Sequence, residues 1–418
     1  MKHFYLFLLF TGLLHAQDFE TVKKQLASKY EYISDLKDNT ALVRTKSGKM
    51  GAVDSLGTII ILIKYDYITE ANEDQYIVEL KQKYALFNKD GKPVTDFIFS
   101  GIERYSNGTA TVKFPDQSSA IINTAGQPLF TPVKNHSLKI LDNKDGIYQI
   151  KDDKTNKYGL IDSKGILVIP CQYNDTDYVN GLAKVQLNKK YGLYTLDNKE
   201  VLPIAYEYIF PVKNNSFICV KDKKYGVSNS MGQFIVPLEY EYIDEVQEKY
   251  FAIRDSKGNS GILNADGQTI IPVEYKFYRI WKEKIFAAKD GRPMILDIQN
   301  PTEQQAVQAD SFIIEDNYYE DWNKQVFTKE GRYGAVDING NIIVPATYDD
   351  LKPIYLSGEF IAKQKGKYGI VNAKNEIVQP IIFDSIRLIK ENAVLTKKGQ
   401  KTILHYVKYR DYPIDFNN

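Results

Sequence analysis

One short signature returns along nearly the whole chain, and that periodicity limits what the chain can fold into more than any single motif. Its clear copies are Lys157-Tyr158-Gly159-Leu160-Ile161-Asp162, Lys190-Tyr191-Gly192-Leu193, Lys224-Tyr225-Gly226-Val227, Arg332-Tyr333-Gly334-Ala335-Val336-Asp337 and Lys367-Tyr368-Gly369-Ile370-Val371-Asn372. Weaker copies centre on Gly51, Ala85, Ala120, Gly261, Met294 and Thr402. Successive anchors lie 33 to 40 residues apart, and eleven units fill the chain from about Lys29 onward. A unit this short cannot bury a core alone, so it must stack on its neighbours.

The internal register is tighter than the period. Six residues after the anchor stands Gly57, Gly91, Gly126, Gly165, Gly232, Gly267 or Gly340, with Asn198 and Asn375 in two further units. Gly and Asn enter the left-handed backbone region most cheaply, which marks a hairpin turn. Eleven residues after the anchor comes Pro170, Pro203, Pro237, Pro272, Pro345 or Pro380, and proline marks a strand end or an edge. Fourteen residues after it an aromatic appears in eight units, from Tyr65 to Phe383. The longer steps fall before Gly159 and Gly334, so the anchor-to-aromatic stretch is the expected rigid piece and the remainder a tolerant connector. Short β-rich runs between these marks leave room for three strands of about six residues, or four shorter ones. The expected fold is all-β, with antiparallel meanders stacked in an open superhelical, solenoid-like array. One or two β-propeller-like rings are the alternative, but eleven such units are many for one ring and short for blades of about 40–45 residues.

The pattern Lys-Tyr-Gly-apolar-apolar-Asp, then Gly, then Ile-Val-Pro, then Tyr-Asp resembles the WG-repeat (KWG-repeat) family, bacterial proteins that are often exported. The resemblance covers nearly the whole chain and implies a β repeat with no catalytic residues to transfer. Where the family prefers Trp before the Gly, this chain has Tyr158, Tyr191, Tyr225, Tyr333 and Tyr368, and Met50 in the first unit. Tyrosine keeps an amphipathic ring with a polar tip.

Ahead of the repeats, a basic Met1-Lys2-His3 precedes an apolar run, Phe4 to Leu14, that is too short to span a bilayer. Ala16 then gives way to polar Gln17-Asp18, the pattern of a secretory signal peptide over 1–16. Residues 17–28 read as a capping segment, with a helix over Asp18 to Ser28 whose Phe19, Val22 and Leu26 share a face. The repeats divide into an N-terminal block (29–293), a degenerate unit with an insertion (294–333) and a C-terminal block (334–418). Loss of 1–16 leaves 53 basic and 53 acidic residues. That balance argues against a duplex-binding protein working by phosphate neutralisation, and no stretch is long and apolar enough for a membrane-embedded helix.

Chemistry-bearing groups are sparse. Cys171 and Cys219 occupy apolar register positions and read as structural thiols. His136 and His405 stand far apart with no nucleophile or zinc spacing, and read as solvated or hydrogen-bonded. Asp142-Asn143-Lys144-Asp145-Gly146 reads as a turn, since Lys144 sits where a calcium ligand belongs. Asp54, Asp162, Asp337 and Asn372 keep step with the turn glycines and read as turn-closing acceptors. No catalytic, cofactor or metal site emerges. The structural positions of the repeat are Gly51, Gly159, Gly192, Gly226, Gly261, Gly334 and Gly369, together with the six prolines above.

A candidate binding surface remains. The insertion Glu315-Asp316-Asn317-Tyr318-Tyr319-Glu320-Asp321-Trp322 sets four carboxylates around three aromatics, suited to a basic peptide, a cation or a sugar face. Tyr206-Glu207-Tyr208 and Tyr240-Glu241-Tyr242 alternate so that both tyrosines would share a face, the first packing inward and Tyr208 or Tyr242 lining a surface. The expected function is a non-catalytic binding or scaffold module of the bacterial envelope, periplasmic or extracellular, with a protein partner or, alternatively, a glycan.

Overall fold

The computed structural model describes residues 19–72, 74–141, 145–313, 323–354, 357–390 and 393–406. A single helix, α1 (Phe19–Leu26), precedes an otherwise β chain. It is shorter than the Asp18–Ser28 expected, and Asp18 lies outside the described residues. The first sheet is an antiparallel meander of β1 (Tyr32–Ile33), β2 (Thr40–Arg44), β3 (Met50–Asp54) and β4 (Ile59–Tyr65), paired in chain order. Later sheets repeat these four positions, called here first to fourth strand. Ten sheets occur among the described residues; the seventh, over 242–306, has seven strands because one long strand, Thr269–Trp281, serves as fourth strand of one unit and first of the next. Four strands fit a short unit because many hairpin turns are tight, as at Asn188-Lys189 and Asp222-Lys223, where both residues have positive φ.

Every anchor sits on a third strand. The stretch expected as a connector is in fact the first and second strands of the next sheet, so it is half of the fold. The longer steps open up chiefly at joins between first and second strands, in 141–146 and 313–323. The six prolines stand within the fourth strand, away from its ends, on the outer edge of the sheet in most units. The edge reading of proline therefore holds and the strand-end reading does not. Turn chemistry follows the sequence closely. Gly57, Gly165 and Gly340 have φ of 84°, 79° and 81°, and Asn198 and Asn375 of 59° and 60°. Asp162 Oδ1 accepts from the N–H groups of Lys164 (2.9 Å) and Ile166 (2.8 Å), and Asp54, Asp337 and Asn372 do the same in their own turns.

The core lies between sheets. Strand alternation sends the first apolar residue after the anchor to one face and the second to the other. Leu160 packs with Ala183 and Val185 of the following sheet, while Ile161 packs with Ile121 and Phe130 of the preceding one. Ala335 and Val336 divide in the same way between the ninth and seventh sheets. Burial on both faces explains why the motif carries two adjacent apolar residues instead of an alternation. In the first sheet Ala52 faces forward, and Val53 faces back onto Val22 and Leu26 of α1. The helix thus occupies the place a preceding sheet would take. The chain divides into two compact units, 1–205 and 206–418, each built in this way.

Candidate binding surface

Two ranks of aromatic separate the structural side of the repeat from its exposed side. The aromatic fourteen residues after the anchor is buried at Tyr65, Phe99, Tyr173, Tyr206, Tyr275, Tyr348 and Phe383; it ends the fourth strand in most units, while Phe99 makes a single bridge to Tyr84 and Tyr275 lies within the long strand Thr269–Trp281. Two residues later the chain has already entered the next sheet. Tyr208 and Tyr242, which open first strands, are 54% and 41% exposed. They do not share a face with Tyr206 and Tyr240 as alternation predicted, because each pair straddles the step from one sheet to the next. The acid between them also has a structural task. Glu241 pairs with Lys224 at 2.6 Å, and the same seventeen-residue pairing joins Lys49 to Asp66, Arg332 to Asp349 and Lys367 to Asp384. This accounts for the Lys of Lys-Tyr-Gly and the acid of Tyr-Asp. Hydrogen bonds from Lys49 and from the Lys81 N–H hold the Asp66 carboxyl below its usual range; Lys367 and the Gly399 N–H do so for Asp384.

The exposed rings have company. Tyr208 stacks on Phe210 with centroids 5.7 Å apart and planes 14° from parallel. Tyr242 lies 5.6 Å from the Tyr225 ring and carries the Arg254 guanidinium 5.3 Å from its centroid. Burial, then the charge of Asp244, pushes the Tyr242 hydroxyl up from its ordinary value. Tyr32 and Tyr67, in the same strand-opening position, are 48% and 50% exposed. These two tyrosines and Arg254 escaped the sequence reading. For Tyr67 the signal was the sixteen-residue step from the anchor that also places Tyr208 and Tyr242, masked in other units by residues such as Asp175, Asp350 and Ser385; Tyr32 precedes the first anchor, and Arg254 has no such mark.

The remaining candidates take their places around this surface. Glu315, Asp316, Tyr318, Tyr319, Glu320, Asp321 and Trp322 lie outside the described residues, as do Asp142, Asn143 and Lys144. His136 is bonded through Nδ1 to the Lys134 carbonyl oxygen at 2.8 Å. Both cysteines are free thiols; burial pushes Cys219 up to about 12, and burial also raises half-buried Cys171. Among the described residues, no group of three or more His, Cys, Asp or Glu side chains is placed to hold a metal ion. No helix among them is long and apolar enough to cross a membrane.

Antiparallel sheets with cores shared between neighbours, and aromatics exposed at strand starts, define a β-repeat protein. The WG containing repeat matches residues 50–84, 84–114, 158–191, 191–224, 225–257, 333–368 and 368–401, more than half of the sequence, and the chain belongs to this family. No curated protein matches it. Among solved structures, it is similar to the extracellular domain of the hybrid two component system BT3049 from B. thetaiotaomicron, at 11% identity, 90% of this chain, 56% of that one and a TM-score of 0.25. The extracellular domain of the one component system BT4673 from the same organism gives 10% identity, 90% and 70% coverage, and 0.25. A computationally designed protein, Ika8, gives 12% identity, 74% and 93% coverage, and 0.22. These scores are too low to carry an inference about this chain.

Proposed function

We propose that the chain is a non-catalytic binding module exported to the bacterial envelope. The observation that carries this reading is the division of labour within the repeat: anchors, turn residues, prolines and first-rank aromatics all serve the fold, and the strand-opening aromatics do not. Tyrosine and arginine are favoured where one protein holds another, and exposed aromatics on a rigid scaffold are what a protein partner would meet. The acidic, aromatic segment 315–322 is proposed as part of that surface. Residues 1–16 are proposed to direct export, 17–28 to cap the first sheet, and 29–293 and 334–418 to form repeat blocks on either side of the degenerate unit 294–333. A glycan is the second reading, favoured by the stacked and solvent-open rings of Tyr208 and Phe210, since such rings receive the apolar face of a sugar.

Affinity capture from native envelope extract tests this. Eluates from wild-type and Tyr208→Ala/Tyr242→Ala protein would each be divided and treated with protease or with glycan-degrading enzymes. A single enriched protein lost in the variant supports the first reading, and enriched carbohydrate lost in the variant supports the second. Equal enrichment from both proteins would overturn the placement of the surface.

A further inference from the structure

Two units build the same cleft. In the first, Tyr32 opens the first strand, Arg44 faces it across the second strand, and Tyr67 opens the next sheet. In the other, Tyr242 and Arg254 hold the same positions, and Phe277, in register with Tyr67, lies within the continuous strand Thr269–Trp281. The spacing is identical, with Arg twelve residues and the second aromatic thirty-five residues after the first tyrosine. In each, the guanidinium lies over the tyrosine ring, 5.8 Å from the centroid at Tyr32 and 5.3 Å at Tyr242. Each second-to-third-strand hairpin beside the cleft has five turn residues with a glycine at φ 83°, Gly48 or Gly258, where most units use two; the third sheet's hairpin is also five residues long, with Gln117 in the glycine's place, and the fourth's is four. The clefts measure about 570 Å³ and about 370 Å³. Other strand-opening tyrosines lack the cation: Tyr67 faces Glu79 and Tyr208 faces Val220.

We infer that these are two sites of one kind for an acidic saccharide, each taking one uronate residue. This rests on the glycan reading of the binding module and names its ligand class. A guanidinium lying on a ring keeps its N–H edge free for the two oxygens of a carboxylate, and the flanking aromatics receive the C–H face of the sugar. Arg254 has no ion-pair partner among the described residues, and Arg44 has only Glu31 at 3.8 Å, both ends half-exposed. The duplication selects the ligand class. A polymer that repeats one acidic sugar offers the same group to both clefts, whereas a folded protein partner presents a different surface to each. The acids at the clefts favour neither site becoming a cation trap: Asp66 is held by Lys49 and the Lys81 N–H, and Asp244 is outnumbered by Arg254 and the buried Arg279.

Titration calorimetry of the purified protein with a galacturonic acid hexamer tests the inference, with the methyl-esterified hexamer and hexaglutamate as comparisons. Two sites are expected, the Arg254 site being the tighter. Arg44→Ala and Arg254→Ala should each remove one, and the double variant should bind at least tenfold more weakly. Arg44→Lys/Arg254→Lys should lose nearly as much, because lysine keeps the charge without the planar fork. Both arginines are exposed, so unchanged far-UV circular dichroism is expected throughout. Absent hexamer binding, equal binding by the double variant or by the ester, or equally tight hexaglutamate would each overturn the inference. If the hexamer fails while the tyrosine variants still abolish envelope capture, the clefts fall and the binding module stands. If capture is also unaffected, both fall.

Discussion

At Gly159 a β-carbon would lie 2.3 Å from the carbonyl oxygen of Ile169 and 2.9 Å from the carbonyl carbon of Pro170. The same crowding by fourth-strand backbone recurs at Gly51, Gly226, Gly261, Gly334 and Gly369. Its cause is a bulge. Tyr158 pairs with Tyr173 and Leu160 with Ile169, so three residues, Pro170 among them, cross opposite one glycine. Where the anchor is Ala85 the ladder gives way to single bridges, Tyr84 to Phe99 and Phe87 to Pro93; at Ala120 only two residue pairs reach the outer strand. Gly159→Ala is therefore expected to destabilise by about 1–3 kcal/mol, read by urea denaturation, while Ala85→Gly should change stability by no more than about 1 kcal/mol. Equal effects at the two sites would contradict the steric account. The recurring ion pairs give a pH prediction. Asp66 and Asp384 have folded pKa values below their unfolded ones, so their contribution is present above the ordinary carboxylate range and is lost as pH falls through the folded values. Resistance to urea should decline from about pH 5 downward. Asp66→Asn/Asp384→Asn should show a shallower decline; a profile identical to wild type would count against these pairs.

At the scale of the element, much was legible because turn and edge chemistry is local. Gly or Asn six after the anchor, its Asp or Asn acceptor and the edge proline each depend on a few neighbouring residues. The alternating run Ala183–Leu187 was legible as a strand and is one, the second of the fifth sheet; the rest of the first and second strands were read as a connector because their sequences vary between units: only burial between two sheets is demanded of them, and many apolar residues satisfy that. The phase between sequence repeat and sheet was hidden too. The tight Tyr-x-Tyr step looks like continuous strand, yet the chain changes sheets inside it. The helix is the clearest local success, since Val22 and Leu26 do share a buried face against Ala41, Val43 and Val53. Val22→Asp/Leu26→Asp is expected to cost about 2–4 kcal/mol locally and to speed amide exchange in β2 and β3 while leaving the fourth sheet protected. Unchanged exchange in β2 and β3 would remove the cap from the account.

At the scale of the molecule, cores that lie between sheets make the stability of each of the two compact units a chain of nearest-neighbour couplings. The same arrangement explains why function was less legible than fold. A repeat repeats its structural residues, so these stand out in a single sequence. The residues proposed here to bind, such as Arg44 and Arg254, are departures from the pattern, and a departure is hard to distinguish from drift until the strand register places it beside an exposed ring. The central claim, that each core belongs to two neighbouring sheets, is tested most directly by native-state hydrogen exchange on Leu160→Ala. Leu160 is fully buried between the fourth and fifth sheets, and its truncation should cost about 2–5 kcal/mol. The account predicts faster exchange in both of those sheets, with the first and second sheets keeping wild-type protection. Loss of protection in the fourth sheet alone, or uniformly along the chain, would contradict it.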